Sequence, residues 1–285
     1  MAATDYHRPA STMEDGAAPA TPRYDIRFPP SNPELDQDGE FCEVLLDGQW
    51  RRIRFHDYGR LYEHPGLYEQ VFYERLECSS HRRVSSMLAD VLRERGQASA
   101  YLRVLEVGAG NGVVAQELRQ LGISRITGVD IIPEARDAAQ RDRPGVYDEY
   151  FVCDLTNRDA AEQAALQALR PKALVTEAAL GYGDIPPAAF EAAFNLVAPG
   201  AWIAFNAKLT FLSARDESGF ASLLRKMIAA DIIEIEAYRV YCHRRSMRGD
   251  RLYYAALVAR KRADIPGGGI PDLRNQGGVL PLSKP

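Results

Sequence analysis

The stretch Val104-Leu105-Glu106-Val107-Gly108-Ala109-Gly110-Asn111-Gly112-Val113 decides the fold. An apolar run enters Gly-x-Gly-x-Gly, and a helical pattern leaves it. Glycines in such a turn accept positive φ and let a ligand approach the main chain, and the helix that follows points its free N–H groups toward that ligand. The dinucleotide fingerprint G-x-G-x-x-G would carry its third glycine one position later. Val113 stands there, which counts against a nicotinamide or flavin enzyme.

Outward from this loop, strand-like and helix-like segments alternate. Strands are predicted at 103–107, 125–129, 149–152, 173–177 and 201–205. Helices are predicted at 112–121, from 133, at 158–169 with Asn157 as cap, at 187–197 and at 218–230. Such alternation means βαβ units, right-handed crossovers and a parallel sheet. Two longer strands, 232–242 and 252–259, are joined too tightly for a crossover and must run antiparallel. Ahead of the loop, 41–46 and 49–55 flank Asp47-Gly48, a type I′ hairpin signal. Helices are predicted at 67–76 and 84–95. In the second, Val84, Met87, Leu88, Val91 and Leu92 share one face, and Gly96 follows its end. The expected division is a tail without fixed structure (1–37), a hairpin and helical cap (38–99), the ligand-binding α/β domain (100–262) and a flexible Gly/Pro-rich tail (263–285).

Charge narrows the class of partner. The 285 residues carry 35 Lys and Arg against 39 Asp and Glu, a net charge of −4. That argues against wholesale attraction to nucleic acid or an anionic membrane. No apolar run approaches the roughly 18 residues of a membrane span, and no leader pattern opens the chain. Cys42, Cys78, Cys153 and Cys242 are isolated from one another, which fits a reducing cytoplasm. No metal-ligand spacing is evident.

The candidate site residues cluster by topology. Asp130 follows Gly110 by twenty residues and ends the second strand of the α/β region, where a carboxylate can accept ribose hydroxyls. Asp154 lies just past the third strand. Ligands of such sheets bind outside the carboxyl ends of the strands, so the glycine loop, Asp130 and Asp154 converge.

Over residues 100–260 this ordered set resembles the class I S-adenosylmethionine-dependent methyltransferases. The resemblance implies a doubly wound, seven-stranded, mostly parallel α/β sheet of order 3-2-1-4-5-7-6 with strand 7 antiparallel, preceded here by the N-terminal hairpin and helices. It implies S-adenosyl-L-methionine as cofactor. Glu106, Gly108, Ala109, Gly110 and Gly112 would hold its methionine end, Asp130 its ribose, Ile131 its adenine, and Asp154 with Leu155 the adenine edge. The segment 173–177 with Ala178-Ala179-Leu180-Gly181-Tyr182 matches the motif where methyl group and acceptor meet, which makes Glu177 and Tyr182 catalytic candidates. An N-terminal helix often covers the cofactor in this family, so Tyr68 or Tyr73 would reach its carboxylate.

The acceptor side has fewer markers. The turn from His243 to Arg251 should overhang the site, with His243 as a base and Arg244, Arg245 and Arg248 holding a carboxylate or phosphate. His56 and His64 lie near the tyrosines of the cap. No Asn-Pro-Pro-Tyr, Asp-Pro-Pro-Tyr or Pro-Cys follows the fourth strand, against methylation of DNA bases. The expected function is methyl transfer to an O or N atom of a small organic, possibly acidic, acceptor. The alternatives are a protein or peptide side-chain methyltransferase and a non-catalytic cofactor-binding regulator. Neither nucleic acid nor membrane is an expected partner, and the oligomeric state is open.

Overall fold

A computed structural model describes residues 21–30, 35–177, 180, 184–209 and 219–270. The chain opens with a small antiparallel sheet of β1 (Ile26–Arg27), β2 (Phe41–Leu46) and β3 (Gln49–Arg54). Asp47 and Gly48 take φ of 50° and 74°, the two left-handed positions that a type I′ hairpin needs. Helix α1 (Tyr58–Glu63) follows, then α2 (Leu67–Glu69), which continues into a π-helix, Gln70–Arg75. An ordinary helix was expected over 67–76. The wider turn is the kind of irregularity found beside functional sites. Helix α3 (Ser80–Glu94) buries Val84, Leu88, Val91 and Leu92, the predicted stripe.

The α/β region runs β4 (Arg103–Val107), α4 (Val113–Gln120), β5 (Arg125–Asp130), α5 (Pro133–Asp142), β6 (Glu149–Val152), α6 (Ala160–Ala168), β7 (Ala173–Thr176), α7 (Pro187–Phe194), β8 (Trp202–Lys208), α8 (Gly219–Ala229), β9 (Ile233–Arg245) and β10 (Arg251–Lys261). Its sheet order is β6-β5-β4-β7-β8-β10-β9. Counted along the α/β region, that is 3-2-1-4-5-7-6. β10 is antiparallel to both neighbours and the other pairs are parallel. Side chains on a strand point alternately to its two faces. Leu105 and Val107 therefore pack with Leu166, Phe190, Phe194 and Phe220, while Val104 packs with Leu88, Leu92 and Leu118 on the opposite face. Two buried faces make the sheet doubly wound.

Three boundaries need correction. The N-terminal tail is not without structure to residue 37: Ile26 is buried, β1 pairs with β2, and the Gln70 amide binds Tyr24 N–H and Pro22 C=O. At the other end, Ile265 and Ile270 are buried, and the Asn195 side chain bonds both the N–H and C=O of Ile265, so 263–270 docks on the domain. Helix α6 is capped by Asp159, not Asn157, through a capping box with Glu162. No described helix is long and apolar enough to cross a membrane.

Candidate active site

The glycine loop leaves β4 with Gly108, Gly110 and Gly112 at φ of 70°, 53° and 84°. Side chains are strained there, so the backbone path itself demands glycine. Gly108 N–H and Ala109 N–H both bond Val129 C=O, which stitches the loop to β5. Asp130, at the end of β5, accepts Gly110 N–H at 2.9 Å and Ile132 N–H at 3.0 Å. Burial raises the Asp130 pKa, and these N–H groups pull it back.

Crowding at the loop comes from the protein itself. A Cβ on Gly110 would lie 2.5 Å from the Tyr62 hydroxyl, and one on Gly112 would lie 2.9 Å from Val146. Glu106 is buried, accepts the Tyr147 hydroxyl at 3.1 Å, and has its pKa pushed well above the usual range by burial. The same hydroxyl donates to Ala109 C=O at 2.9 Å. Glu106, Ala109, Gly110 and Gly112 thus shape the loop without lining the cavity beside it.

That cavity measures about 380 Å³. Of the predicted cofactor residues, Gly108, Asp130, Ile131, Asp154, Leu155 and Tyr68 line it. Ile131 is 60% exposed, an apolar side chain available to a ligand. Asp154 also closes its own turn, accepting Thr156 N–H and Oγ1 at 2.8 and 2.7 Å, and these bonds lower its pKa. Tyr73 is not in the cavity wall; its ring packs 4.3 Å from that of His81. Tyr58 and Tyr62 join Tyr68 in the wall instead, with ring centroids 5.1–6.4 Å apart.

Glu177, just past β7, lines the cavity too. Its Oε1 is sealed from solvent and has no hydrogen-bond partner among the described residues. Desolvation pushes its carboxyl up to about 7, against the pull of the Ser80 hydroxyl. Tyr182 lies outside the described residues. Sequence reasoning missed Asp184 and gave His56 no role. His56 Nδ1 lies 3.0 and 2.9 Å from the two Asp184 oxygens, and the Tyr58 hydroxyl donates to Asp184 at 3.4 Å. These partners stand 128 residues apart, and the one cue was that the loop after β7 belongs to the site's edge. His64 packs edge-on to Tyr24 and is not in the cavity wall.

The arginine-rich turn requires correction. His243, Arg244 and Arg245 belong to β9, not to a projecting tip. His243 is buried, with Nδ1 2.5 Å from Ser80 Oγ and its ring 4.1 Å from that of Tyr254. Burial pushes its pKa well below the usual value and keeps it neutral. Arg244 is buried against Glu40 at 2.6 Å, Arg245 meets Glu77 at 2.9 Å, and Arg248 meets Asp250 at 3.5 Å. The guanidinium groups expected to hold an anion are each matched by a carboxylate. A smaller cavity of about 40 Å³ is lined by Cys78, His243 and Arg244, and it shares Glu177, Asp184, His56, Tyr58 and Tyr68 with the larger one.

A family model described as a methyltransferase domain matches residues 78–244, more than half of the chain. Among solved structures, a Thermoplasma acidophilum protein is 18% identical, with 62% of this chain and 84% of that one covered and a TM-score of 0.43. Magnesium protoporphyrin IX methyltransferase from Synechocystis, with bound S-adenosylmethionine, is 16% identical over 64% and 79% of the two chains, TM-score 0.44. A methyltransferase dependent on S-adenosylmethionine from Anabaena variabilis is 13% identical over 74% and 96%, TM-score 0.47. No curated protein matches the sequence.

Proposed function

The chain belongs to this methyltransferase-domain family and uses S-adenosyl-L-methionine; from that premise we propose that it methylates an oxygen or nitrogen atom of a small organic acceptor held beside Glu177. The observation that carries this reading is one continuous wall: Asp130 and Gly108, at the start of the glycine loop, share a single cavity with Glu177 and the His56–Asp184 pair. A volume of about 380 Å³ lies within the range of small-ligand sites, about 300–1,000 Å³. Asp130 would accept the ribose hydroxyls, while Ile131 and Leu155 offer apolar contact to the base. Tyr58, Tyr62 and Tyr68, with the Glu177 carboxylate, suit a cationic group. The bound donor supplies an electrophilic methyl group on a good leaving sulfur.

The protein's own work is then alignment, exclusion of water and proton removal. The Asp184 carboxylate at His56 Nδ1 would orient the ring for this work. That pair would take the proton of an acceptor hydroxyl or ammonium. The sole guanidinium among the described lining residues is Arg244, which Glu40 engages. A neutral or cationic acceptor fits this lining better than the acidic one first expected.

Methyl-labelled S-adenosylmethionine, incubated with the protein and fractionated cell extract, tests the reading. Label should enter the small-molecule fraction; label confined to protein or nucleic acid would overturn the acceptor class. His56→Asn should lower turnover at least about tenfold. An unaltered rate would remove the pair from the chemistry.

A further inference from the structure

Three donor residues far apart in sequence meet at the smaller cavity. Cys78 precedes α3, Glu177 follows β7 and His243 lies on β9. One ligand atom from each lies within 4.8 Å of the others, and Cys78 Sγ stands 3.9 Å from His243 Nδ1. The arrangement is built rather than incidental. Ser79 N–H bonds His243 C=O at 3.0 Å and Ser79 Oγ bonds Cys242 C=O at 3.1 Å, which pins the Cys78 segment to β9. Ser80 Oγ, 2.5 Å from His243 Nδ1, also meets the Tyr241 hydroxyl at 2.6 Å. That hydroxyl in turn accepts from Asn206 at 2.9 Å. Ser80 meets the same Nδ1 that faces Cys78 Sγ, so its bond holds the ring in place in the metal-free chain and is exchanged for the ion on binding.

A second observation points to a missing cation. Glu177 Oε1 is sealed from solvent without a hydrogen-bond partner among the described residues. A buried, unpaired acceptor is unfavourable unless something arrives to satisfy it. The nearby Arg244 guanidinium does not do so, because Glu40 holds it. We propose that Cys78, Glu177 and His243 bind one divalent transition-metal ion of the zinc class. Sulfur, imidazole and a single carboxylate are the donors zinc takes, whereas magnesium and calcium prefer oxygen sets. Binding releases the Cys78 proton to solvent. Thiolate, carboxylate and neutral imidazole then balance the double positive charge.

Three protein ligands leave a fourth position, as at zinc sites that do chemistry. The cavity of about 40 Å³ beside them has room for water or one small functional group. Given the methyl-transfer reading, on which this step rests, the acceptor's heteroatom would take this position, and the ion would lower its pKa.

The full-length chain, stripped with chelator, is titrated with Co²⁺ as the optical stand-in for Zn²⁺. One equivalent should produce a thiolate-to-cobalt charge-transfer band that Zn²⁺ abolishes. Cys78→Ser should remove the band, and Glu177→Gln, close in shape, should weaken cobalt affinity at least tenfold. No band in the wild type, or an undiminished band in Cys78→Ser, overturns the site. Equal affinity in Glu177→Gln overturns the ligand set. Calorimetry with S-adenosylmethionine separates the two claims. A chain that binds the cofactor but not cobalt refutes the metal site alone, and one that binds cobalt but not the cofactor refutes the methyl-donor reading alone.

Discussion

Glu177→Gln should stabilise the ligand-free, metal-stripped chain at pH 8 and do so far less at pH 5. The Glu177 carboxyl is pushed from an ordinary 4.5 up to about 7 because burial disfavours its charge. The unfolded chain ionises this group first, so folding stability falls as pH rises from 4.5 toward 7 and stays reduced above that. The interval between the two pKa values corresponds to about 3 kcal/mol at pH 8 and under about 1 kcal/mol at pH 5. Glutamine keeps the shape and cannot ionise. Its advantage over the wild type should therefore grow by about 2 kcal/mol between the two pH values. Urea unfolding followed by circular dichroism reads this directly as a shift of midpoint at constant slope. The reasoning fails if the Gln variant gains equally at both pH values, because the carboxyl would then carry no desolvation penalty. Cofactor addition provides an internal control. A bound cation compensates the carboxylate, so the pH dependence of the wild type should flatten, while the variant binds more weakly.

Asp130→Ala should weaken S-adenosylmethionine binding by about 1–3 kcal/mol, a roughly 5–150-fold rise in Kd by calorimetry; unchanged affinity would remove Asp130 from the site. Gly110→Ala should destabilise the fold by at least about 1–2 kcal/mol, because φ is left-handed and the Tyr62 hydroxyl lies 2.5 Å from the new Cβ. Tyr62→Phe in that background should recover part of the loss on thermal unfolding, and no recovery would assign the whole cost to backbone strain. Lys261, fully buried, donates to Phe194 and Val197 C=O at 2.7 and 2.6 Å beyond the end of α7. Lys261→Met removes both bonds, leaves Val197 C=O without that donor, and should cost about 1–3 kcal/mol in a denaturant titration; a neutral outcome would show that Val197 C=O finds another donor.

The fold was legible because its signals are short in range. Hairpin chemistry at Asp47-Gly48, the apolar stripe of α3 and the strand–glycine–helix passage are each written within about fifteen residues, and each constrains φ, ψ or a buried face. The misreadings at both termini have a different source. Ile26 sits in a short alternation with Tyr24 and Phe28 inside a Pro- and charge-rich stretch, and its burial depends on β2, nearly twenty residues later. Ile265 is similarly held by Asn195, seventy residues away. Compositional reasoning averages over such anchors and assigns disorder to both.

The same distinction of range divides the site. At its proposed cofactor end, the placement of residues follows the backbone: Asp130 ends β5, which pairs with β4, and the glycines are where the loop turns left-handed. Even there the cause was only half visible. Glycine at 110 gives room to Tyr62, a residue of the preceding cap, and not simply to a ligand. The acceptor end is dictated by side chains from the cap, the loop after β7 and β9 meeting across more than a hundred residues. The arginines of β9 and its turn illustrate the consequence. Read locally, Arg244, Arg245 and Arg248 are an anion clamp. Two of their partners, Glu40 and Glu77, sit in the N-terminal segment, and once these are in place the clamp is spent on holding the cap to the sheet. The cap therefore has two roles. It is tied down by the charges that looked functional, and it contributes the groups that looked incidental: His56 to the proposed proton-accepting pair and Cys78 to the proposed metal site. A change of specificity in this protein should follow substitution in the cap sooner than substitution in the β9 turn.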